Sequence, residues 1–193
     1  MLNKKYVGDY RLENVKDKNG KLVTRPVYKG AWYVFVNGAD NVRQETRLIA
    51  VLTAAAIVFF AVSLLFYSNK GFTAQYYTLI PFLVCVFPLM YLCIAVYNLI
   101  KVTRRDPVRA TREENDKMSD RVAKCTFVMM LLSGWNLCGI VLAYILKLAG
   151  KEARPVVTGD IVFSLSSALF FAVIVFIFSR RKKTAMRPEI TAA

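Results

Sequence analysis

Hydrophobic positions along this 193-residue chain are gathered into blocks instead of being spread at helical or strand spacing. A soluble element alternates apolar and polar faces because one side must stay wet. Four blocks here have no wet side. Residues 48–67 are interrupted only by Thr53 and Ser63, and residues 76–100 contain Pro81 and Pro88. Residues 125–146 hold Ser133, Asn136 and two glycines, and residues 161–178 are broken only by serines. None of the four contains Asp, Glu, Lys, Arg or His. Each is long enough, at 1.5 Å per residue, to approach or exceed a hydrocarbon thickness of about 30 Å. The pattern predicts an all-α transmembrane fold, a four-helix membrane bundle over residues 47–179. The rival reading, a soluble protein with buried core helices, fails because too little polar sequence remains to cover four such helices.

The pattern changes over residues 1–46, where short β-prone runs are separated by turn residues. Residues 10–15 and 22–28 flank an Asn19–Gly20 pair, a strong hairpin signal. Residues 31–36 follow after Lys29–Gly30, so a small cytoplasmic β-meander of three strands is expected. Pro26 has no N–H for the ladder and predicts a short or bulged middle strand. So small a meander does not stand alone. Its aromatic cluster, Trp32, Tyr33 and Phe35, needs a cover: the membrane interface, a cytoplasmic helix, a second copy, or a partner protein added at a strand edge.

Between the second and third blocks lies a charged connection, residues 102–124, with seven basic and five acidic residues and no aromatic one. Asp106–Pro107 fits a helix cap followed by a first-turn proline, and Thr111 with Glu114 fits a capping box. Glu113–Lys117 and Asp120–Lys124 are acid-before-base pairs at i,i+4. The third helix is therefore expected to begin in this connection and run on into the membrane. Met118 and Val122 would then share one stripe, facing the lipid surface or the N-terminal segment.

Charge adds orientation. Of 27 Lys and Arg residues, 23 fall in the segment before the first block, the 101–124 connection and the tail of residues 180–193; four fall in the other two connections. Positive residues flanking spans are retained in the cytoplasm, which places both termini inside a plasma (inner) membrane. Lys101, Arg104, Arg105, Arg180, Arg181, Lys182 and Lys183 become the expected contacts to anionic headgroups. The net charge of +14 is thus a membrane-side property. Nucleic acid is not an expected partner, because the basic residues flank spans and lack interleaved stacking rings.

Candidate chemistry changes little. The first block starts too late for a cleaved leader. Cys85, Cys93, Cys125 and Cys138 lie in or at the ends of spans with no CxxC and no histidine, so no disulfide framework, metal or cofactor is expected. Ion-coupled transporters carry ionisable groups at depth, and Lys147 and Asp160 lie only at span ends, where solvation is expected. The intramembrane glutamate of small multidrug transporters and the paired cysteines of four-span thiol oxidoreductases are both missing. What the spans hold is packing chemistry: Ser133, Gly134, Asn136 and Gly139 in the third, Ser164 and Ser167 in the fourth, with Asn136 expected to bond across helices. Pro81 and Pro88 predict a bend in the second, with a groove for lipid or a small apolar ligand beside it as the functional alternative.

The chain therefore fits the plan of a small bacterial inner-membrane protein. The leading expectation is a non-catalytic accessory, assembly or interaction subunit, working with a protein partner, a second copy, or lipid. A small transporter or channel with its pathway between copies is the alternative. A membrane enzyme at the cytoplasmic interface, using Asp106, Glu113, Glu114 or Asp116, is the third.

Overall fold

A computed structural model describes residues 4–16, 22–67 and 71–189. Four elements are long and apolar enough to cross a membrane. The first is helix α1 (Ala39–Phe66). The second is made of α2 (Tyr76–Val84) and α3 (Val86–Thr103), 28 residues together. The third is a continuous 37-residue run made of α4 (Arg112–Asn115), one π turn (Asp116–Asp120) and α5 (Arg121–Leu148). The fourth is α6 (Thr158–Arg180), continued by a 3-10 turn, Arg181–Thr184. At 1.5 Å per residue a 28-residue helix is about 42 Å long, more than a hydrocarbon core requires.

Packing closes these elements into a ring. Helix α1 lies against α6 and α3, and α5 lies against α6, α2 and α3. Within the four apolar windows only 28% to 39% of residues are buried inside the bundle. Leu65, Val51, Leu165 and Trp135 are among the apolar side chains that point outward. A soluble core helix would hide such residues, so this surface calls for an apolar surrounding. Inside, Phe60, Phe82, Phe163 and Phe170 pack ring against ring, with centroids 4.7 Å apart for Phe60–Phe82 and 5.5 Å for Phe82–Phe163.

The second element breaks where the prolines predict. Pro81 lies inside α2, and between Pro81 and Pro88 the helix tightens at Cys85, whose N–H reaches Phe82 O at 3.1 Å. The third element begins at a true capping box: Glu114 N–H donates to Thr111 Oγ1 (3.2 Å) and Thr111 N–H to Glu114 Oε2 (3.1 Å). Asp106–Pro107 is a turn ahead of this helix and does not cap it. Thr111 wins because only its spacing to Glu114 satisfies two orphan N–H groups at once.

The β segment departs from the expected meander. Strands β1 (Tyr10–Lys16) and β2 (Leu22–Tyr28) form an antiparallel hairpin in unbroken register, Tyr10 opposite Tyr28 and Lys16 opposite Leu22. The Asn19–Gly20 turn falls outside the described residues. Pro26 sits opposite Leu12 without a bulge, tolerated because the two-stranded sheet leaves every strand an edge. Strand β3 (Tyr33–Phe35) does not continue this sheet. It pairs with β4 (Met186–Pro188) from the far end of the chain, and on its other side Tyr33 bridges Ala110. The tail, expected as a basic extension, is thereby tied to the N-terminal segment.

Candidate functional site

Three segments distant in sequence meet at the basic end of the bundle. Phe35 from β3, Val42 from α1, Leu99 and Val102 from α3, Ala110 and Met118 form a small buried core separate from that of the spans. Met118 and Val122, expected on one stripe, are both buried but in different clusters: Met118 enters this one, and Val122 the main one. Around the small core, backbone bonds run from Tyr33 N–H to Ala110 O (2.9 Å), from Val36 N–H to Ala185 O (3.1 Å) and from Glu189 N–H to Trp32 O (2.7 Å). The hairpin docks on the start of α4, where Tyr28 Oη accepts from Arg112 N–H (3.1 Å) and donates to Ala31 O (2.8 Å). One orphan N–H of that helix is thus satisfied. Burial raises the Tyr28 phenol above its ordinary pKa, so it remains a neutral hydroxyl able to do both.

Edge-to-face contacts link Tyr10 to Tyr28 and Tyr28 to Trp32. Of the three aromatic residues expected at an interface, Phe35 is buried, Tyr33 is half-buried, and Trp32 is 36% exposed. The Arg109 guanidinium lies 6.0 Å from the Trp32 ring, and both line an open depression of about 620 Å³ with Arg105, Asp106 and Pro107.

The basic residues divide into those held by carboxylates and those left unpaired. Arg105 grips Glu114 through two bonds, 2.6 and 3.0 Å. Burial pushes the Glu114 carboxyl up, but hydrogen bonds from Arg105 and from the Thr111 backbone outweigh it and hold the group below its ordinary pKa. Arg180 and Lys183 both reach Glu45 Oε1 at 3.0 Å, fastening α6 and the tail to α1. Arg181 lies over the Phe178 ring at 3.4 Å. Lys101, Arg104 and Lys182 make no side-chain bond or ion pair among the described residues.

Between α1 and α3 at this end is a crevice of about 410 Å³ lined by Arg43, Thr46, Arg47, Ala50, Ile100, Thr103 and Arg104. A second depression, apolar and about 270 Å³, lies beside Pro81 between α2 and α5, with Tyr76, Tyr77, Ile80, Val84, Leu132 and Trp135.

Within the spans the polar residues serve contacts between and within helices. Asn136 Nδ2 donates to Thr78 O on α2 at 2.7 Å. One turn on, Gly139 lets the same two helices touch. A Cβ there would come within 3.1 Å of Tyr77 O, the carbonyl that Pro81, having no N–H, leaves without its helical donor. Gly134 faces Phe171 with ordinary clearance. Ser133 bonds back to Met129 O, Ser164 back to Asp160 O, and the buried Ser167 hydroxyl has no partner among the described residues. The serine that bridges helices is Ser166, 2.7 Å from Ser63 on α1. Ser166 carried no distinguishing signal, because α6 is apolar all round and periodicity gives such a helix no preferred face.

The opposite end corrects a second expectation. Asp160 is not solvated: it is 1% exposed. Its Oδ1 accepts from Thr73 N–H (3.2 Å) and from the Thr73 hydroxyl, and its Oδ2 from Val157 N–H (2.9 Å). Gly71 seals the carboxylate, since a Cβ there would lie 2.5 Å from its carbon. Arg154 donates to Ala74 O (2.8 Å) and Gln75 to Glu152 (2.8 Å), closing one connecting loop over the other. The carboxylate is a structural clasp placed at the first turn of α6, where its charge also suits the helix dipole. Among the described residues no cluster of His, Cys, Asp or Glu is arranged to hold a metal.

Compared with protein-family models, curated proteins and solved structures, the chain matches none of them.

Proposed function

We propose that this chain is an integral protein of a plasma (inner) membrane, with both termini and the 101–124 connection in the cytoplasm, acting without catalysis as an accessory, assembly or interaction subunit. The observation that carries the reading is the division of chemistry along the bundle. Polar side chains within the spans serve packing, and the centre is filled by phenylalanines. A second group of charged and aromatic side chains gathers at the basic end. There the hairpin, the β3–β4 sheet and the 104–111 turn form a platform that presents Trp32 beside Arg109. A half-exposed tryptophan flanked by an arginine is the composition that binding hot spots favour.

Two experiments test it. The full chain purified in mild detergent is expected to elute with a stoichiometric protein partner or as a defined homo-oligomer. A lone monomer would overturn the interaction role. A reporter active only outside the cytoplasm, fused after residue 193, is expected to be silent, and activity there would overturn the orientation.

A further inference from the structure

We infer that the crevice between α1 and α3 is a binding site for the phosphate group of one anionic phospholipid. This deepens the membrane placement proposed above and rests on it. On α1, Arg43, Thr46, Arg47 and Ala50 follow i, i+3, i+4, i+7 and so share one face; on α3, Ile100, Thr103 and Arg104 follow i, i+3, i+4 and complete the lining. Three arginines therefore border one cavity. Arg43 spends its Nε on Thr103 O (3.2 Å), and its terminal nitrogen meets only the exposed Asp40, at 3.4 Å. Arg47 and Arg104 have no acidic partner among the described residues.

A second, independent feature points the same way. Thr46, one of the residues that line this cavity, is 2% exposed, and its hydroxyl has no hydrogen-bond partner among the described residues. A buried hydroxyl without a partner is costly, and so are like charges gathered without a counter-ion. A tetrahedral oxyanion relieves both, accepting from the hydroxyl and from the planar forks of arginine. The remaining wall, Ala50 and Ile100, lies at the ends of the apolar blocks of the first and second spans. A free phosphate has no use for that wall, whereas the glycerol and first methylenes of a lipid do. The volume is within the range of sites for small ligands.

General attraction of basic residues to an anionic leaflet depends on charge and not on the shape of the cation. The double replacement Arg47→Lys with Arg104→Lys keeps every charge and removes both forks. The measurement is native mass spectrometry of the full chain released from mixed micelles of phosphatidylglycerol and phosphatidylcholine, with each variant's unfolding midpoint checked without lipid. The wild type is expected to retain one phosphatidylglycerol in preference to phosphatidylcholine. The double lysine variant should lose that retention about tenfold or more, one charge-assisted bond being worth at least that factor. Thr46→Val should weaken it several-fold, while Lys29→Gln, exposed beside the hairpin and outside the crevice, should not. Equal retention by the lysine variant, or no preference over phosphatidylcholine, would overturn the site. Competition by inorganic phosphate at concentrations similar to the lipid would overturn the lipid as its source. Either failure leaves the reporter result intact, so loss of this site and loss of the membrane reading are distinguishable.

Discussion

Asp160→Ala is expected to lower stability by about 2–5 kcal/mol, the cost of leaving a buried and a part-buried backbone N–H and a buried hydroxyl without their acceptor. The donors are Thr73 N–H, the Thr73 hydroxyl and Val157 N–H, and no other side-chain acceptor is bonded to them. Asp160→Asn should recover only part of the loss. An amide keeps one oxygen, but its NH2 would then face an N–H, donor against donor. Gly71→Val attacks the same clasp from the other side, because its side chain must enter space held by the carboxylate. It should produce a similar loss with Asp160 intact. The comparison is Asp120→Ala, an exposed carboxylate 3.9 Å from Lys124, which should change stability by less than about 0.5 kcal/mol. Thermal midpoints of the purified protein in one detergent at one scan rate provide the readout. If Asp160→Ala matched Asp120→Ala, the carboxylate would have to be solvated after all.

The burial of Asp160 has no local signature in the sequence. A charged residue at the end of an apolar run ordinarily reaches water. What buries this one is the loop holding Gly71 and Thr73, which lies nearly ninety residues earlier and has no pattern pointing to Asp160. The strand expected near residues 31–36 is present as β3, but its pairing departs from the expected meander for the same reason. Its partner, Met186–Pro188, is three residues long, contains a proline and lies some 150 residues away, while a plausible neighbour, β2, sits beside it in sequence. Features written locally were legible. The four apolar elements follow from uninterrupted runs, the β1–β2 hairpin from two β-prone segments around a turn, and the α4 start from the Thr111–Glu114 spacing. The arginine crevice was half visible. Arg104 stood out as a basic residue flanking a span, but Arg43, Thr46 and Arg47 gain meaning only when α1 packs on α3.

Phe82→Ala should be the most damaging single change inside the apolar bundle. Phe82 is fully buried, stacked on Phe60 at an interplanar angle of 20° and set edge-on to Phe163 and Phe170, so its removal opens a void where α1, α2 and α6 meet. In water such truncations cost about 3–5 kcal/mol. In an apolar surrounding the transfer part of that cost vanishes, because lipid or detergent tails are as apolar as the side chain, and what remains is lost dispersion contact and the unfilled cavity. The expected loss is therefore near the lower end, about 3 kcal/mol, with Phe82→Leu costing about 1 kcal/mol because it fills most of the space. The paired change is Phe87→Ala, five residues on and 64% exposed on the outer surface of the same crossing element. In detergent it should be nearly neutral, because its ring exchanges one apolar neighbour for another. The pair thus reads which face of the second element is turned inward.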